Sequence, residues 1–342
     1  MNWIALDLGR NEIKAAVWDV RRRPTKLMYN HHGRLYSYMP SEGFISDEGY
    51  AYVGNDVSLV GALFPEKLFD VRDSVNGDTL LNALYGTIMD AASRHYNDIS
   101  VGVVLLCEGY KNEDPAINIC KNFYPIAKSH FKDVKVKYSS EVLSSVLFDN
   151  IGTTMIIDIS MSSLKLSIVE NGVQSAYFES KELGFSTVDI SGIIGYSFNK
   201  DLSEVEWYLH GQLLEKVKID ICQGKIDASL LKVLDLDSHD EQIIVKKFED
   251  CMTRYLYRCF EMCTRNIKFL FKDWDNIKNI VLCGGASNYY KMKDCFCGYM
   301  RGYGTDLDSH NVIIYEKDAQ WAAVFNALNL PDLIDFIYVF DN

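Results

Sequence analysis

Two carboxylates, Asp7 and Asp158, occupy matching places in two copies of one short pattern. Residues 4–19 read IALDLGRNEIKAAVWD, and residues 155–172 read MIIDISMSSLKLSIVENG. Superimposed without gaps, Asp7 falls on Asp158, Gly9 on Ser160, Lys14 on Lys165 and Val17 on Ile168, a constant offset of 151 residues. In each copy an apolar run leads to an acid, then to small or polar residues, then to a second apolar run. That is strand, tight turn, strand. A carboxylate at a strand end, followed by a turn whose backbone N–H groups point outward, suits phosphate and a divalent metal. Taken singly, each acid also reads as a cap or turn residue; the duplication favours a phosphate site. Two such hairpins point to two related lobes facing one ligand. A third feature, Gly284-Gly285-Ala286-Ser287, follows an apolar run and reads either as a tight turn or as backbone left bare for a ligand.

The rest of the chain must position these residues. Residues 3–8 and 12–19 form the first hairpin, and a loop with a third strand runs to His32. Residues 34–39 and 50–53 alternate as short strands, 55–64 reads as a short helix, and 69–73 as irregular chain. A helix is expected over 78–96, where Leu81, Leu84, Ile88 and Ala91/Ala92 recur at three and four. Val101 to Cys107 is a continuous apolar run, as in a buried strand. Asp114-Pro115 opens another helix, 134–138 is a strand and 140–148 a helix. The second lobe repeats the plan. Its hairpin is followed by a strand over 173–179, then by Leu183-Gly184-Phe185-Ser186-Thr187 leading into a helix that carries Asp189. Ser203 and Glu206 form a capping box for a helix over 203–217. A long helix over 242–272 has an apolar face of Phe248, Cys251, Tyr255, Cys259 and Met262. A strand over 277–283, a helix from about Tyr289, a helix over 318–328 and an apolar tail over 330–340 complete the chain. The order predicts an α/β fold, with mixed sheets and helices on both faces. Lobe I would comprise 1–150 with 318–342 returning to it, and lobe II 151–317. Helices 140–148 and 318–328 are the candidates to join them.

Composition narrows the function classes. The chain has 342 residues, enough for two ordinary domains, and 48% hydrophobic residues, enough for large cores. The net charge is −12, and the short Arg21-Arg22-Arg23 run reads as a solvated turn, which argues against nucleic acid. No apolar run approaches a membrane span, and the start, MNWIALDLG, lacks a basic leader. Nine cysteines are an odd number, and several sit in apolar segments, so reduced thiols and a cytoplasmic setting are expected. Cys251, Cys259 and Cys263 fall near one helix face and read as packed thiols before a metal site, and Cys295-x-Cys297 lacks zinc spacing.

DLGRNEIKAAV, DISMSSLKLSIV and IVLCGGASNYYKM, in that order, resemble phosphate loop 1, phosphate loop 2 and the adenosine loop of the actin-like ATPase superfamily. The nearest resemblance is to the nucleotide-binding domain of the heat-shock-70 chaperones, and it spans nearly the whole chain. Phe69-Asp70-Val71-Arg72 is similar to the family's FDAK stretch, Ser140-Glu141-Val142-Leu143-Ser144 to its NEPTA segment, Leu183-Gly184 with Asp189 to its third glycine turn, and Asp318-Ala319-Gln320 to its second connecting helix. The resemblance implies two lobes of ribonuclease-H-like topology with ATP or ADP in a central cleft. Gly9, Arg10 and Asn11 on one side and Ser160, Met161, Ser162 and Ser163 on the other would hold phosphate oxygens. Gly184 would support the second loop. Gly284, Gly285, Ala286 and Asn288 would border the nucleoside, and Asp7 and Asp158 would hold hydrated Mg²⁺. Glu141 would orient the attacking water, and Arg72 would offset charge on the γ-phosphate. On residue type alone, Glu141 also reads as a first-turn helix acid and Arg72 as a surface ion-pair residue.

This sequence departs from the family pattern. The family's second loop reads like DLGGGTFD, whereas residues 158–165 read DISMSSLK, without glycine and with Lys165 in place of an acid. Asn288 replaces an arginine, Ala323 takes a usual glycine position, and Arg10 and Asn11 replace small hydroxylated residues. The expected function is a chaperone-like ATPase domain standing alone, opening and closing with nucleotide, with weak hydrolysis. The alternative is an actin-like assembly scaffold or pseudo-ATPase that binds nucleotide without turnover. A sugar or acid kinase of the same superfamily is a third reading, without a clear substrate-activating carboxylate. A protein partner or self-association is expected besides the nucleotide.

Overall fold

A computed structural model of the chain describes residues 2–9, 12–31, 34–55, 57, 63–64, 67–71, 77–96, 101–109, 124–195, 203–225, 241–270, 276–330 and 333. The architecture is mixed α/β, with several sheets and helices packed on them. Among the described residues, helices with bounds on both sides are α1 (Gly77–Tyr96), α2 (Ser139–Phe148), α3 (Ile190–Ile194), α4 (Glu204–Cys222), α5 (Glu241–Leu270), α6 (Met292–Tyr303) and α7 (Ala322–Ala327), and residues 124–130 are also helical. The chain divides into two compact units. One comprises Met1–Ile151, Val169–Tyr177 and Trp321–Asn342; the other comprises Gly152–Ile168 and Phe178–Gln320.

In the first unit, β1 (Asn2–Leu8) and β2 (Glu12–Trp18) form an antiparallel hairpin. It is extended by β3 (Pro24–Lys26) beyond β2, and by β10 (Val101–Cys107) and β11 (Asp133–Tyr138) beyond β1. The strand order is β11-β10-β1-β2-β3, with β10 parallel to both β1 and β11. Alternate residues of β1 enter different cores, because successive side chains of a strand point to opposite faces. Ile4, Leu6 and Leu8 pack with Leu80, Leu81, Leu84 and Ile88 of α1. Trp3 and Ala5 pack with Val142 of α2 and with Trp321, Val324 and Ala327 on and beside α7. A sheet covered on both faces needs continuously apolar strands, and all seven residues of β10 are buried. The apolar tail contributes Leu330 and Leu333 to the α2/α7 side; its other residues lie outside those described.

Smaller sheets flank this core. β4 (Tyr29–His31) pairs with β5 (Arg34–Tyr36), and β6 (Tyr38–Pro40) pairs with β2. β7 (Glu42–Ile45) lies between β8 (Ala51–Val53) and β9 (Leu68–Asp70). The last strand corrects the expectation of irregular chain at 69–73: Phe69 sits opposite Gly43 in an antiparallel ladder. Three residues carry too little periodicity to reveal a strand whose partner is 26 positions away. The helix expected over 55–64 lies mostly, and the one at Asp114-Pro115 wholly, outside the described residues.

The second sheet repeats the order. β12 (Thr153–Ile159), β13 (Leu164–Glu170) and β14 (Val173–Ser180) lie on one side, and β15 (Ile277–Cys283) and β16 (Asn311–Ile314) on the other, giving β14-β13-β12-β15-β16. β15 is parallel to both β12 and β16. The β13–β14 turn is Asn171-Gly172, with φ of 51° and 77°, the doubly left-handed conformation that two-residue hairpins favour. α5 buries Ile244, Phe248, Met252, Leu256, Cys259, Phe260, Cys263 and Ile267 along one stripe. Cys251 and Met262, expected on that stripe, are half-buried at its margins. Burial pushes the Cys259 and Cys222 thiols up to about 12, so both stay protonated and inert at neutral pH. The capping box forms: Ser203 N–H donates to Glu206 Oε2 at 2.9 Å, and Glu206 N–H donates to Ser203 Oγ at 3.4 Å. The helix expected at 318–328 is shorter. Asp318 has φ 49°, which breaks helical geometry, so a 3₁₀ turn over Ala319–Trp321 precedes α7. Likewise Gly285–Asn288 forms a 3₁₀ turn ahead of α6.

Leu6 is fully buried and Val20 is 99% exposed. Leu6→Ala is expected to cost about 2–5 kcal/mol in urea unfolding, and Val20→Ala less than about 0.5 kcal/mol. Equal effects would contradict the burial of β1 at Leu6.

Candidate functional site

The parallel strands of each sheet end at one edge, and the candidate residues sit there. In the first unit, Asp7 is level with Leu106, Leu106 with Lys137, and Cys107 with Tyr138. Glu141 follows in the first turn of α2. In the second sheet, Asp158 is level with Cys283, the last residue of β15, and Gly284 comes next. The carboxyl edge of an open α/β sheet is where such folds commonly place ligands, because loops leave there and backbone groups are unpaired.

Asp7 stands directly opposite Lys14 in the β1–β2 ladder. Opposed residues of an antiparallel pair share a face, so acid and amine meet. Lys14 Nζ lies 3.6 Å from Asp7 Oδ2, with the side chains 11% and 22% exposed. A Cβ on Gly9 would lie 2.5 Å from the Glu12 carbonyl, so the turn closes around a bare backbone. Arg10 and Asn11 lie outside the described residues, and so does Arg72.

The second turn has the same pairing. Lys165 Nζ lies 3.8 Å from Asp158 Oδ2, and Ser160 Oγ donates to Asp158 Oδ1 at 2.5 Å. The turn is closed by Ser160 N–H donating to the Ser163 carbonyl at 2.9 Å. Phe185 N–H donates to the Ser160 carbonyl and Ser186 N–H to the Met161 carbonyl, each at 2.9 Å. None of Ser160, Met161, Ser162 or Ser163 has positive φ, so the glycine-free sequence DISMSS is accommodated without backbone strain. Ser163 is fully buried, and its hydroxyl finds no hydrogen-bond partner among the described residues.

Gly184 is the seat on which this turn rests. A Cβ there would lie 2.5 Å from the Ser162 carbonyl carbon and 2.7 Å from the Met161 oxygen. Two groups that sequence reading missed hold the seat from beneath. Tyr255 Oη donates to the Leu183 carbonyl at 2.8 Å, and Lys218, fully buried, bonds Glu215 Oε1 at 2.8 Å with its ammonium 5.0 Å from the Phe185 ring centre. Burial raises the Tyr255 hydroxyl above its ordinary pKa, so it remains a donor. Asp189 caps α3, and hydrogen bonds from Ser191 Oγ and Gly192 N–H hold its carboxyl below the usual range.

Gly284 and Gly285 differ in kind. Gly284 has φ 87°, and a Cβ would lie 2.2 Å from Asp158 Oδ1 and 2.6 Å from the Ile159 backbone. A Cβ on Gly285 would meet nothing within 4 Å among the described residues. Asn288 is fixed within the fold: its Nδ2 donates to Gln320 Oε1 at 2.8 Å, and its Oδ1 accepts from Ala319 N–H at 3.1 Å. Gly284 N–H donates to the Ala319 carbonyl at 3.1 Å. Ala286 is buried beneath the loop.

Glu141 is held by an unexpected partner. Its Oε1 accepts from Gln174 N–H at 3.1 Å. The Gln174 side chain accepts from Ser140 Oγ at 2.6 Å and donates to the Gly109 carbonyl at 2.7 Å. All four residues belong to the first unit.

Magnesium bound directly by protein takes one or two carboxylates and keeps several waters. Here each carboxylate already faces an ammonium, and one oxygen of Asp158 also accepts the Ser160 hydroxyl. Among the described residues no group of three or more His, Cys, Asp or Glu could hold a metal. This donor set does not fit direct magnesium coordination. No helix among the described residues is long and apolar enough to cross a membrane. In comparisons with known proteins, no family model and no curated protein matches the chain.

The two glycines give a paired test. Gly284→Ala is expected to cost at least about 2 kcal/mol, from a strained φ and a clash with Asp158. Gly285→Ala should change stability by less than about 0.5 kcal/mol. Thermal unfolding of both variants checks this; a tolerated Gly284→Ala would contradict the close approach.

Proposed function

We propose that this chain is a stand-alone ATP-binding domain of the chaperone-like ATPase kind, with two lobes of ribonuclease-H-like topology as in the actin and heat-shock-70 fold. Repetition carries the reading. Both main sheets have one strand order, and in each the penultimate residue of the first strand is an acid paired to the lysine seven residues later. Both turns lie at the carboxyl edge of their sheet, where backbone N–H groups are available to phosphate oxygens.

In this reading the turns at Gly9–Asn11 and Ser160–Ser163 bind the phosphates of ATP or ADP. Among the described residues nothing lies over Gly285, which leaves its backbone approachable on the nucleoside side. Glu141, steadied by Gln174 N–H, is the group to orient a water against the γ-phosphate. Arg72 is the cation for charge developing there. A protein partner or self-association accompanies the nucleotide cycle.

One observation favours a second reading, an actin-like scaffold that binds nucleotide without turnover. Ser160 N–H is committed to Ser163, and the second turn is held on Gly184 by two further backbone bonds. A turn so closed has fewer donors for a developing charge than a glycine-rich one. Phosphate release and light scattering with ATP separate the two: steady phosphate release marks the ATPase, and ATP-dependent scattering without release marks the scaffold.

Isothermal titration should detect ATP binding by the full chain. Gly285→Ala, with its methyl group directed into open space, is expected to weaken that binding roughly tenfold while leaving the unfolding temperature unchanged. Absence of ATP binding would end the proposal.

A further inference from the structure

The outer side of α5 carries a straight row of cations. We propose that Lys247, Arg254, Arg258 and Arg265 form a docking row for an acidic helix of a partner protein. The proposal stands on the second unit alone, which contains α5 and α6, and does not depend on nucleotide.

The row follows from helix geometry. The four residues are seven, four and seven positions apart. At about 3.6 residues per turn, Lys247 and Arg265 are five full turns apart, and Arg254 and Arg258 fall about 20° to either side of the line joining them. That line runs about 27 Å along the helix. All four residues are exposed. The buried stripe through Met252, Leu256, Cys263 and Ile267 occupies the opposite side. Asp250 and Glu261 lie about 60° and 40° to one side, so no acid falls on the line. Among the described residues, Lys247 and Arg258 have no ion-pair partner. Arg254 is steadied by its Nε donating to the Asp250 backbone carbonyl at 3.1 Å. Arg265 meets Glu261 at 2.5 Å in an exposed pair one turn apart, the kind that contributes little to stability and is readily exchanged.

Charge and spacing select the occupant. The chain has 47 acids against 35 lysines and arginines, so four cations in line are a local reversal of its charge. Such a row steers an acidic surface toward it. The planar fork of arginine matches a carboxylate with two parallel hydrogen bonds. The unequal steps favour a helix over a polynucleotide. Positions seven and eleven apart share one face of a helix, so glutamates at that spacing meet the cations, whereas backbone phosphates follow at even intervals. Beside the line, on the side of Asp250 and Glu261, an aromatic shelf adds apolar contact. Tyr257 is 38% exposed; its ring meets Tyr299 edge-on at 5.6 Å, and Tyr299 stacks on Tyr303 at 6.2 Å. Arginine and tyrosine are the residues that most often anchor protein interfaces.

The test is fluorescence anisotropy with the full chain and a labelled helical peptide of about 22 residues, its glutamates repeating the spacing of the row beside a leucine stripe. The expected Kd is below about 50 μM at about 50 mM NaCl, rising at least about tenfold at about 500 mM. Lys247→Glu combined with Arg258→Glu should weaken binding at least about tenfold, and Arg258→Lys should retain it. Unfolding curves check that the variants stay folded. A peptide of the same composition, with its glutamates dispersed around the helix, should bind at least about fivefold more weakly. A Kd above about 1 mM for the matched peptide overturns the proposal, as does binding that ignores the charge reversal or does not distinguish the two peptides. Tighter binding of a thymidine oligonucleotide or of phosphatidylserine vesicles, lost on charge reversal, overturns it in favour of a nucleic acid or a membrane surface.

Discussion

A strand covered on both faces has no place for a charge along its length, only at its end. This constraint organises both sheets. Between their polar first residues and the acid at the penultimate position, β1 and β12 are apolar and buried. Asp7 and Asp158 come one residue before the strand ends, each followed by a buried Leu8 or Ile159, and each is only about a fifth exposed. An acid so placed is costly unless something answers its charge. In both hairpins the answer is the lysine seven residues on.

The second sheet shows how tightly the rest follows. Asp158 lies level with the end of β15, and the chain leaves that strand through Gly284, whose missing side chain is the space the carboxylate occupies. The turn after Asp158 rests on Gly184, whose missing side chain is the space Met161 and Ser162 occupy. Tyr255 and the buried Lys218, which is paired with the partly exposed Glu215, support the segment carrying Gly184. The position of one carboxylate is thereby tied to α5, α4 and two loops. A change at any of them reaches the same carboxylate, because a packed interior deforms little before it rearranges.

Much of the local structure was legible in the residues. The hairpins, the run Val101–Cys107, the strand Ile277–Cys283 and the Ser203–Glu206 capping box announce themselves through periodicity and cap chemistry, and all are present. What resisted reading depends on partners distant in sequence. β9 exists because Gly43 and Phe44 accept it, and Gln174 meets Ser140, Glu141 and Gly109 from 33 or more positions away. Asp318 was read as helical from its neighbours, whereas its left-handed φ belongs to the bend that brings Ala319 to Gly284. The Asp7–Lys14 pair is recoverable, since a hairpin with Leu8 opposite Ile13 must set Asp7 against Lys14. The second turn needs no glycine, because none of residues 160–163 adopts a left-handed φ.

The bond pattern around Ala319 has a mechanical meaning. Its carbonyl accepts from Gly284 and its amide donates to Asn288, while Asn288 also reaches Gln320. Gln320 is the last residue of the second unit and Trp321 the first of the returning segment of the other. The crossing chain is therefore riveted to the glycine loop on the residues just before it changes units. The 3₁₀ turn over Ala319–Trp321 and the loop after β15 therefore hold one another in place, so a substitution that unfolds either one releases the other.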